Sequence, residues 1–308
     1  MSSKENCAAI VVTFYPDRDV LKNIESLCEL CRSVILLDNT PDNIDISFPS
    51  NPNLLIERFG TNMGLAYALN YGMRLAHKQQ IENIFLLDQD SRLPIDYFKQ
   101  MLAFKKGVEV ACHRCAFCVP NFFDRNSKTF ANFPVITTLI FRHTACGHFD
   151  YDMKNGVLIA ITSGMLISHA RYQEIGPFPD DYFIDFIDNE YSLRAGSKGW
   201  FVAVNCNLIL DHAVGNRRTH RLMGLTIKPN HHLPTRRYYI ARNGIKTAID
   251  FWRRYPSYVV LVGLRLMHEL ISILIYEQDK KGKTGAFLFG CWHGLMGRMG
   301  ECRKFKVN

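Results

Sequence analysis

Two carboxylates, Asp88 and Asp90, follow directly on the apolar run of "IFLLDQDS" (84–91). A core cannot hold such charges unpaired, so they belong where a buried strand ends. Hard oxygen donors at i and i+2 suit Mg²⁺ or Mn²⁺ shared with a diphosphate, because these ions keep waters and take one or two protein carboxylates. The same spacing also occurs as an ordinary loop cap. His212 closes another apolar run, "FVAVNCNLILDH" (201–212), and is a candidate third ligand, although a lone histidine is more often structural. A further acidic window, "FIDFIDNEYSLR" (183–194), holds Asp185, Asp188 and Glu190. If a helix starts at Asp188, the helix dipole stabilises its charge there. It then either caps the helix or serves as a general base, and the window alone does not choose.

The elements that must position these groups follow from hydrophobic periodicity. "CAAIVVTF" (7–14), "SVILLDN" (33–39), "LLIER" (54–58) and "NIFLLD" (83–88) read as strands apolar on both faces. Amphipathic helices are expected at 19–31, with Val20, Ile24, Leu27 and Cys31 on one stripe, and at 62–79, with Asn62 as cap and Gly64 and Gly72 allowing close approach. Repeated β-α-β of this kind predicts an α/β fold with a mostly parallel sheet covered by helices. Ligands then collect beyond the carboxyl ends of the strands, where Thr13, Tyr15, Asp38, Asn39, Asp88 and Asp90 all fall. The middle third is less regular, with strands inside 116–124, 156–169 and 201–212 and a helix from about 188.

Of 308 residues, 47% are hydrophobic and 21% charged, enough for one large domain or a domain with an appendage. Residues 7–14 are too short and lack the basic flank of a signal peptide, and ten cysteines then argue for free thiols in a reducing compartment. The net charge of +8 concentrates between Arg217 and Arg254, with ten Lys/Arg against one acid, Asp250. Such a block suits a phosphate-rich ligand or an anionic membrane face, or is simply solvated. The segment 258–277 places Arg265, His268, Glu269 and Ser272 at helical period, and its longest charge-free run is about ten residues, short of a membrane span. It either lies on a membrane surface or packs on the domain. Cys112, Cys115 and Cys118 have C-x₂-C-x₂-C spacing but no matching fourth ligand, so buried thiols are the favoured reading. "GKT" (282–284) is not a phosphate loop, since Glu277 stands where its first glycine is required.

Taken together, "VVTFYP", "VILLDNT", "NMGLAYALNYG", "FLLDQDS", "TSGMLIS", "IGPFPDDYFIDFIDNEYSLRAGSKGW", "LILDHAVGN" and "RRYYIARN" resemble the rhamnosyltransferase branch of glycosyltransferase family 2. Order and spacing agree from residue 7 to about 245, and the glycine-punctuated "GAFLFGCWHGLMGRMGE" resembles that branch's tail. The resemblance implies a GT-A (Rossmann-like) fold, a nucleotide-sugar donor, Mg²⁺ or Mn²⁺, and inversion at the anomeric carbon. Thr13, Tyr15 and Asp38 match positions that hold the nucleotide, Asn62 and Gly64 the helix start that closes over it, and Asp88 a carboxylate near the ribose. Asp90 matches the carboxylate that meets the metal, and His212 a histidine that joins it in some relatives. Asp188 matches the catalytic base. Ile187 stands before it where many members carry an acid, so Asp185 is kept as a second candidate. Arg194 matches a structural arginine, expected to pair with Glu190. Arg236 and Arg237 are candidates to reach the diphosphate or are surface charge.

The expected activity is transfer of L-rhamnose from dTDP-L-rhamnose to a polyprenyl-diphosphate-linked glycan in bacterial surface polysaccharide (O-antigen-like) synthesis. Another nucleotide sugar is the rival within the class. The expected arrangement is a transferase domain over 1–245 and a C-terminal amphipathic helical segment over 246–308. The expected place is the cytoplasmic face of an anionic membrane. A sugar nucleotidyltransferase would want a glycine-rich, basic loop after the first strand, which "TFYPDRD" does not supply. A nucleic-acid binder using the basic block is the remaining alternative, and no nucleic-acid partner is expected.

Overall fold

Four parallel strands carry the first half of the chain: β1 (Glu5–Thr13), β2 (Cys31–Asp38), β3 (Leu54–Arg58) and β4 (Asn83–Asp88). They alternate with helices α1 (Arg18–Leu30), α2 (Leu65–Lys78) and, after β4, α3 (Tyr97–Ala111). The computed structural model describes residues 4–42, 44, 46–124, 128–147, 156–212, 220–222, 225–227 and 231–305. Side chains on the two faces of the strands feed separate cores. Ile10, Leu37, Ile84 and Leu86 pack with α2, whereas Ala9, Val11, Leu36, Phe85 and Leu87 pack with α1 and α3. Burial on both faces is why these strands read as unbroken apolar runs. Gly72 lets α2 sit close, because a Cβ there would stand 2.8 Å from Ile10 and 2.9 Å from Leu37.

The second half extends the sheet with β5 (Cys115–Asp124), β10 (Met165–Ser168) and β11 (Phe201–His212). The strand order is β11-β5-β10-β4-β1-β2-β3, with β6 (Thr129–Phe130) on the edge of β5. β10 runs antiparallel to both its neighbours, and β11 is parallel to β5. This is the α/β, mostly parallel sheet flanked by helices expected from sequence. A small antiparallel sheet of β7 (Asn132–Ile136), β8 (Phe141–Ala145) and β9 (Val157–Leu158) stands beside it. α4 (His169–Ile175) and α5 (Ile187–Ser197) follow in the chain, and β12 (His220–Leu222) and β13 (Leu225–Ile227) form a separate hairpin.

Two expectations need correction. The thiols are not all free: Cys146 and Cys206 form a disulfide across 60 residues, tying the end of β8 to β11. Pairing at that separation depends on tertiary approach of the two Cα atoms, 5.4 Å apart, and sequence carries no sign of it. Cys115 and Cys118, by contrast, are buried in β5 with their sulfurs 3.8 Å apart, in line with the buried-thiol reading. The boundary after residue 245 falls inside α6 (Pro234–Phe251), so no break in the chain separates a tail from the sheet there.

α6, α7 (Pro256–Tyr276) and α8 (Lys280–Leu295) form a helical layer. The tail's glycines are contact points. A Cβ at Gly290 would stand 2.3 Å from the Tyr238 carbonyl oxygen, and one at Gly294 2.6 Å from that of Arg242, so α6 and α8 touch backbone to backbone. Arg237 is wholly buried in this layer and pairs with Glu269 of α7 and with Glu277. Lys283 of α8 completes the cluster, 2.8 Å from Glu277. α7 packs through Tyr258, Val262 and Ile273, and its polar stripe turns inward, with Glu269 and Ser272 buried. Val260, Leu264, Met267, Leu274 and Ile275 are exposed instead. By length and composition α7 could cross a membrane, with mean hydropathy 1.8, although the expectation from charge spacing was that it does not.

Candidate active site

β-sheet register brings the first candidates together. Thr13 pairs with Asp38 and Val12 with Asp88, so three polar side chains stand side by side where β1, β2 and β4 end. Asp38 is fully buried, and its Oδ1 accepts from Thr13 Oγ1 at 3.1 Å, Thr40 N at 3.2 Å and Thr40 Oγ1 at 2.7 Å. Its other oxygen faces Arg58 Nε at 3.4 Å. Asn39 Oδ1 accepts from Met63 N at 3.0 Å. Thr13, Asp38 and Asn39 thus organise the rim from within. Tyr15 is the candidate that projects, 42% exposed with φ of 50° and its N–H donating to Thr40 Oγ1.

Asn62 does not cap α2. The cap position is Gly64, with φ of 87°, and Asn62 Oδ1 instead accepts from Gly64 N at 3.0 Å, one turn too early. Gly64 is required there: a Cβ would lie 2.8 Å from both the side chain and the carbonyl of Phe183. Leu65 N donates to that same carbonyl at 2.7 Å. Helix α2 therefore docks directly on the acidic loop that precedes α5.

That loop is tightly constrained. Phe183, Asp185 and Phe186 all have φ between 63° and 67°, which costs non-glycine residues energy and persists only where surroundings over-determine it. The surroundings come from α6. Asn243 Nδ2 lies within 2.7–2.9 Å of the carbonyls of Tyr182, Ile184 and Asp185. Arg242 donates to the carbonyls of Asp181 and Tyr182 at 3.0 and 2.9 Å. Both residues lie in "RRYYIARN" yet were assigned no role from sequence. Their only signal was nearness to Arg236 and Arg237 in sequence, and the partners are backbone atoms some 60 residues away.

A cavity of about 530 Å³ opens beside the loop, lined by Asp88, Asp185, Asp188, Arg236, Arg265 and Glu269 among others. Phe122, Phe130, Phe133 and Phe186 supply aromatic walls. Asp188 lies in the first turn of α5, one residue inside the helix, as the sequence suggested. Burial pushes its pKa up to about 6, partly offset by the Asn189 N–H at 2.9 Å and by the positive charge of Arg265, while Asp185 pushes it higher. Asp185 is held by Arg236, whose Nε and NH2 lie 3.1 Å from its carboxylate oxygens. The Arg236 pKa is raised, chiefly by Asp185, with Asp88 and Asp188 contributing. Arg236 therefore stands among three acids at the cavity, and Arg237, one residue on, faces away. The expectation that Arg237 reaches a diphosphate is overturned, because helical geometry turns successive residues about 100° apart and buries it against Glu269 and Glu277. Arg194 pairs with Glu190 at 2.8 Å, as expected for a structural arginine.

Asp90 is exposed in the turn after β4, and Asp88 is half-buried at its mouth. Among the described residues no cluster of three potential ligands forms. Two oxygen donors on an open turn nevertheless suit Mg²⁺ or Mn²⁺, which complete their shells with water and phosphate. An isolated backbone bridge between Arg92 and Asp211 sets this turn beside the end of β11, where His212 lies. The side chain of His212 is outside the described residues.

Comparison with known proteins places this geometry in context. No family profile matches the chain. It is 26% identical over 246 residues, 77% of this chain and 78% of the relative, to the dTDP-rhamnosyl transferase RfbF of Shigella flexneri. Among solved structures, S. aureus TarS 1–349 in complex with UDP-GlcNAc aligns over 93% of this chain and 72% of its own, at 14% identity and a TM-score of 0.45. With carboxylates at the strand ends and an acidic loop facing an aromatic cavity, the chain resembles a bacterial rhamnosyltransferase in sequence.

Proposed function

We propose that the protein is an inverting, metal-dependent glycosyltransferase that moves L-rhamnose from dTDP-L-rhamnose to a lipid-linked glycan in bacterial surface polysaccharide synthesis. The observation that carries this reading is the cavity where Asp188, with its raised pKa, meets Asp88 at the strand ends. The donor assignment is supported by similarity to the dTDP-rhamnosyl transferase of S. flexneri.

In this reading Asp188 is the base, and Asp185 orients Arg236. A carboxylate whose pKa lies near 6 is ionised at neutral pH and still basic enough to take a proton from an attacking hydroxyl. Asp185 is the weaker candidate because the Arg236 guanidinium already occupies it. Arg236 offers positive charge close to Asp88, where a departing diphosphate would gather negative charge. A divalent cation held by Asp90 and Asp88, with His212 as a further donor, would offset more of that charge. The aromatic walls exclude water and give sugar rings apolar faces to lie against. Tyr15 and the backbone around Gly64 hold the nucleotide.

Peripheral contact with the inner face of an anionic membrane is the second part of the reading. The exposed apolar face of α7 supports it, as does a shallow depression on α8 lined by Phe289 and Trp292 and rimmed by Lys281 and Lys304. Apolar surface flanked by lysines binds an interface by burial plus attraction to anionic lipid. Within the described part of the basic block, Arg237 and Arg242 are buried and Lys246 pairs with Asp250, whereas Arg253 and Arg254 are exposed.

Thermal-shift titration with dTDP, UDP and GDP, each with Mn²⁺, Mg²⁺ or EDTA, tests the reading. A ligand that binds only the folded protein raises its melting temperature by mass action. Metal-dependent stabilisation by dTDP is expected. A UDP or GDP preference removes the rhamnose assignment, and no response to any nucleotide removes the transferase reading.

A further inference from the structure

Helix α7 reaches the catalytic cavity with two charged side chains, and they are not equivalent. Glu269 is buried and paired with Arg237. Arg265, one turn earlier, is exposed and also lines the cavity, yet forms no ion pair among the described residues. Its guanidinium carbon lies 4.6 Å from the centroid of the Phe186 ring. Stacking occupies the flat face of a guanidinium and leaves the N–H groups along its edge, the fork that matches phosphate oxygens. The cavity's other arginine, Arg236, is already engaged by Asp185. Phe186 itself is held rigidly, in the left-handed region at the start of α5. Arg265 is thus a preoriented cation with donors to spare.

Its position also says which anion. The residue next to it, Leu264, belongs to the exposed apolar face of α7, as does Met267 two residues on. Arg265 therefore stands where the cavity meets the surface suited to lipid. On its cavity side it is close enough to Asp188 to favour that residue's charged form. A lipid-linked acceptor has the same order of parts: a hydroxyl at the base, a sugar ring, a phosphate, then a hydrocarbon chain. The donor's diphosphate belongs elsewhere, at the strand ends beside Asp88 and Arg236.

We propose that Arg265 binds the phosphate adjoining the acceptor sugar, an oxyanion subsite that α7 contributes to the cavity between the catalytic base and the apolar face. The inference rests on the transferase reading above and names its acceptor chemistry. It makes α7 part of the active site, not a detachable anchor.

The test is calorimetric titration of the whole chain with farnesyl diphosphate, with farnesol, and with dTDP plus Mn²⁺. Wild-type protein is compared with Arg265→Gln and Arg265→Lys. Farnesyl diphosphate should bind wild type more tightly than farnesol. Its affinity should fall about tenfold or more in Arg265→Gln, the usual effect of losing a hydrogen-bonded charge, and recover in part in Arg265→Lys. dTDP affinity should be the same in all three proteins. Equal farnesyl diphosphate affinity in wild type and Arg265→Gln overturns the proposal, as does a wild type that does not prefer the diphosphate to farnesol. A drop in dTDP affinity with farnesyl diphosphate unaffected assigns Arg265 to the donor and also overturns it. A wild type that binds farnesyl diphosphate but no nucleotide would fault the transferase reading alone. Should Arg265→Gln fold poorly, judged by its melting temperature, Arg265→Lys decides. It keeps the charge but loses the planar fork, so its diphosphate affinity must lie measurably below wild type.

Discussion

The strand ends of the sheet and helix α7 place their polar residues by opposite rules. At β4 an apolar run is buried and its polar end emerges, so Asp88 and Asp90 lie where the end of a buried run and their charge predict. In α7 Glu269 and Ser272 of the polar stripe turn into the protein while Val260, Leu264, Met267, Leu274 and Ile275 look out. The reason is a buried demand. Arg237 sits in the core of the helical layer, where Glu269 and Glu277 neutralise it. A paired buried charge outranks the preference of leucine and valine for the interior, because leaving it alone costs several kcal/mol. Hydrophobic patterning is a reliable guide to facing only where no such group competes.

That contrast can be pressed experimentally, beginning with the loop that joins the two regions. Asp188→Asn should lower transfer about 10²–10⁴-fold, the usual contribution of a general base, while leaving dTDP binding intact. Asp185→Asn should cost less, and the reverse ranking would move the base. The pH profile carries the same information with a definite sign. The base works only when ionised, so transfer should rise with pH through about 6 and level off above it. A rate that falls through that region would exclude Asp188.

Adjacent arginines give the sharpest contrast in kind. Arg237→Met leaves two buried carboxylates short of a partner, and about 3–5 kcal/mol of stability should be lost in denaturant melts. Arg236→Ala removes a half-exposed charge at the cavity and should weaken nucleotide binding with little change in melting. If both behave alike, the assignment of one to structure and the other to ligand is wrong. Asn243→Ala deletes the amide that pins three loop carbonyls, and about 1–3 kcal/mol should be lost together with activity. The smallest effect belongs to the outer face of α7. Leu264→Ser with Leu274→Ser should reduce recovery on vesicles rich in phosphatidylserine about severalfold, with melting and dTDP binding unaltered. Unchanged vesicle recovery would leave that face without a lipid role.

Much of the site was legible in advance because strands read simply. An unbroken apolar run and a charged terminus locate Asp38, Asp88 and Asp90 at one edge, and the observed strands differ from the expected ones by only a residue or two. α5 begins one residue before the expected start at Asp188 for a similarly local reason, an acid followed by helix-forming spacing. Asn62 misled because a capping residue and an Asx-type contact to Gly64 N look the same in sequence. Arg242, Asn243 and Arg265 were invisible as site residues, since their partners are loop carbonyls and an aromatic ring far away in the chain.

The sequence by itself determined the parallel strands, the carboxylates at their ends and helices α1, α2, α5 and α7, all of which follow from contacts between near neighbours and from the burial of apolar runs. Tertiary structure alone decided the Cys146–Cys206 bridge, the burial of Arg237, the left-handed turn at Asp185 and Phe186 and the facing of α7. Each of these is a compromise between groups distant in sequence, where a buried charge or an unpaired carbonyl overrides what the local pattern prefers.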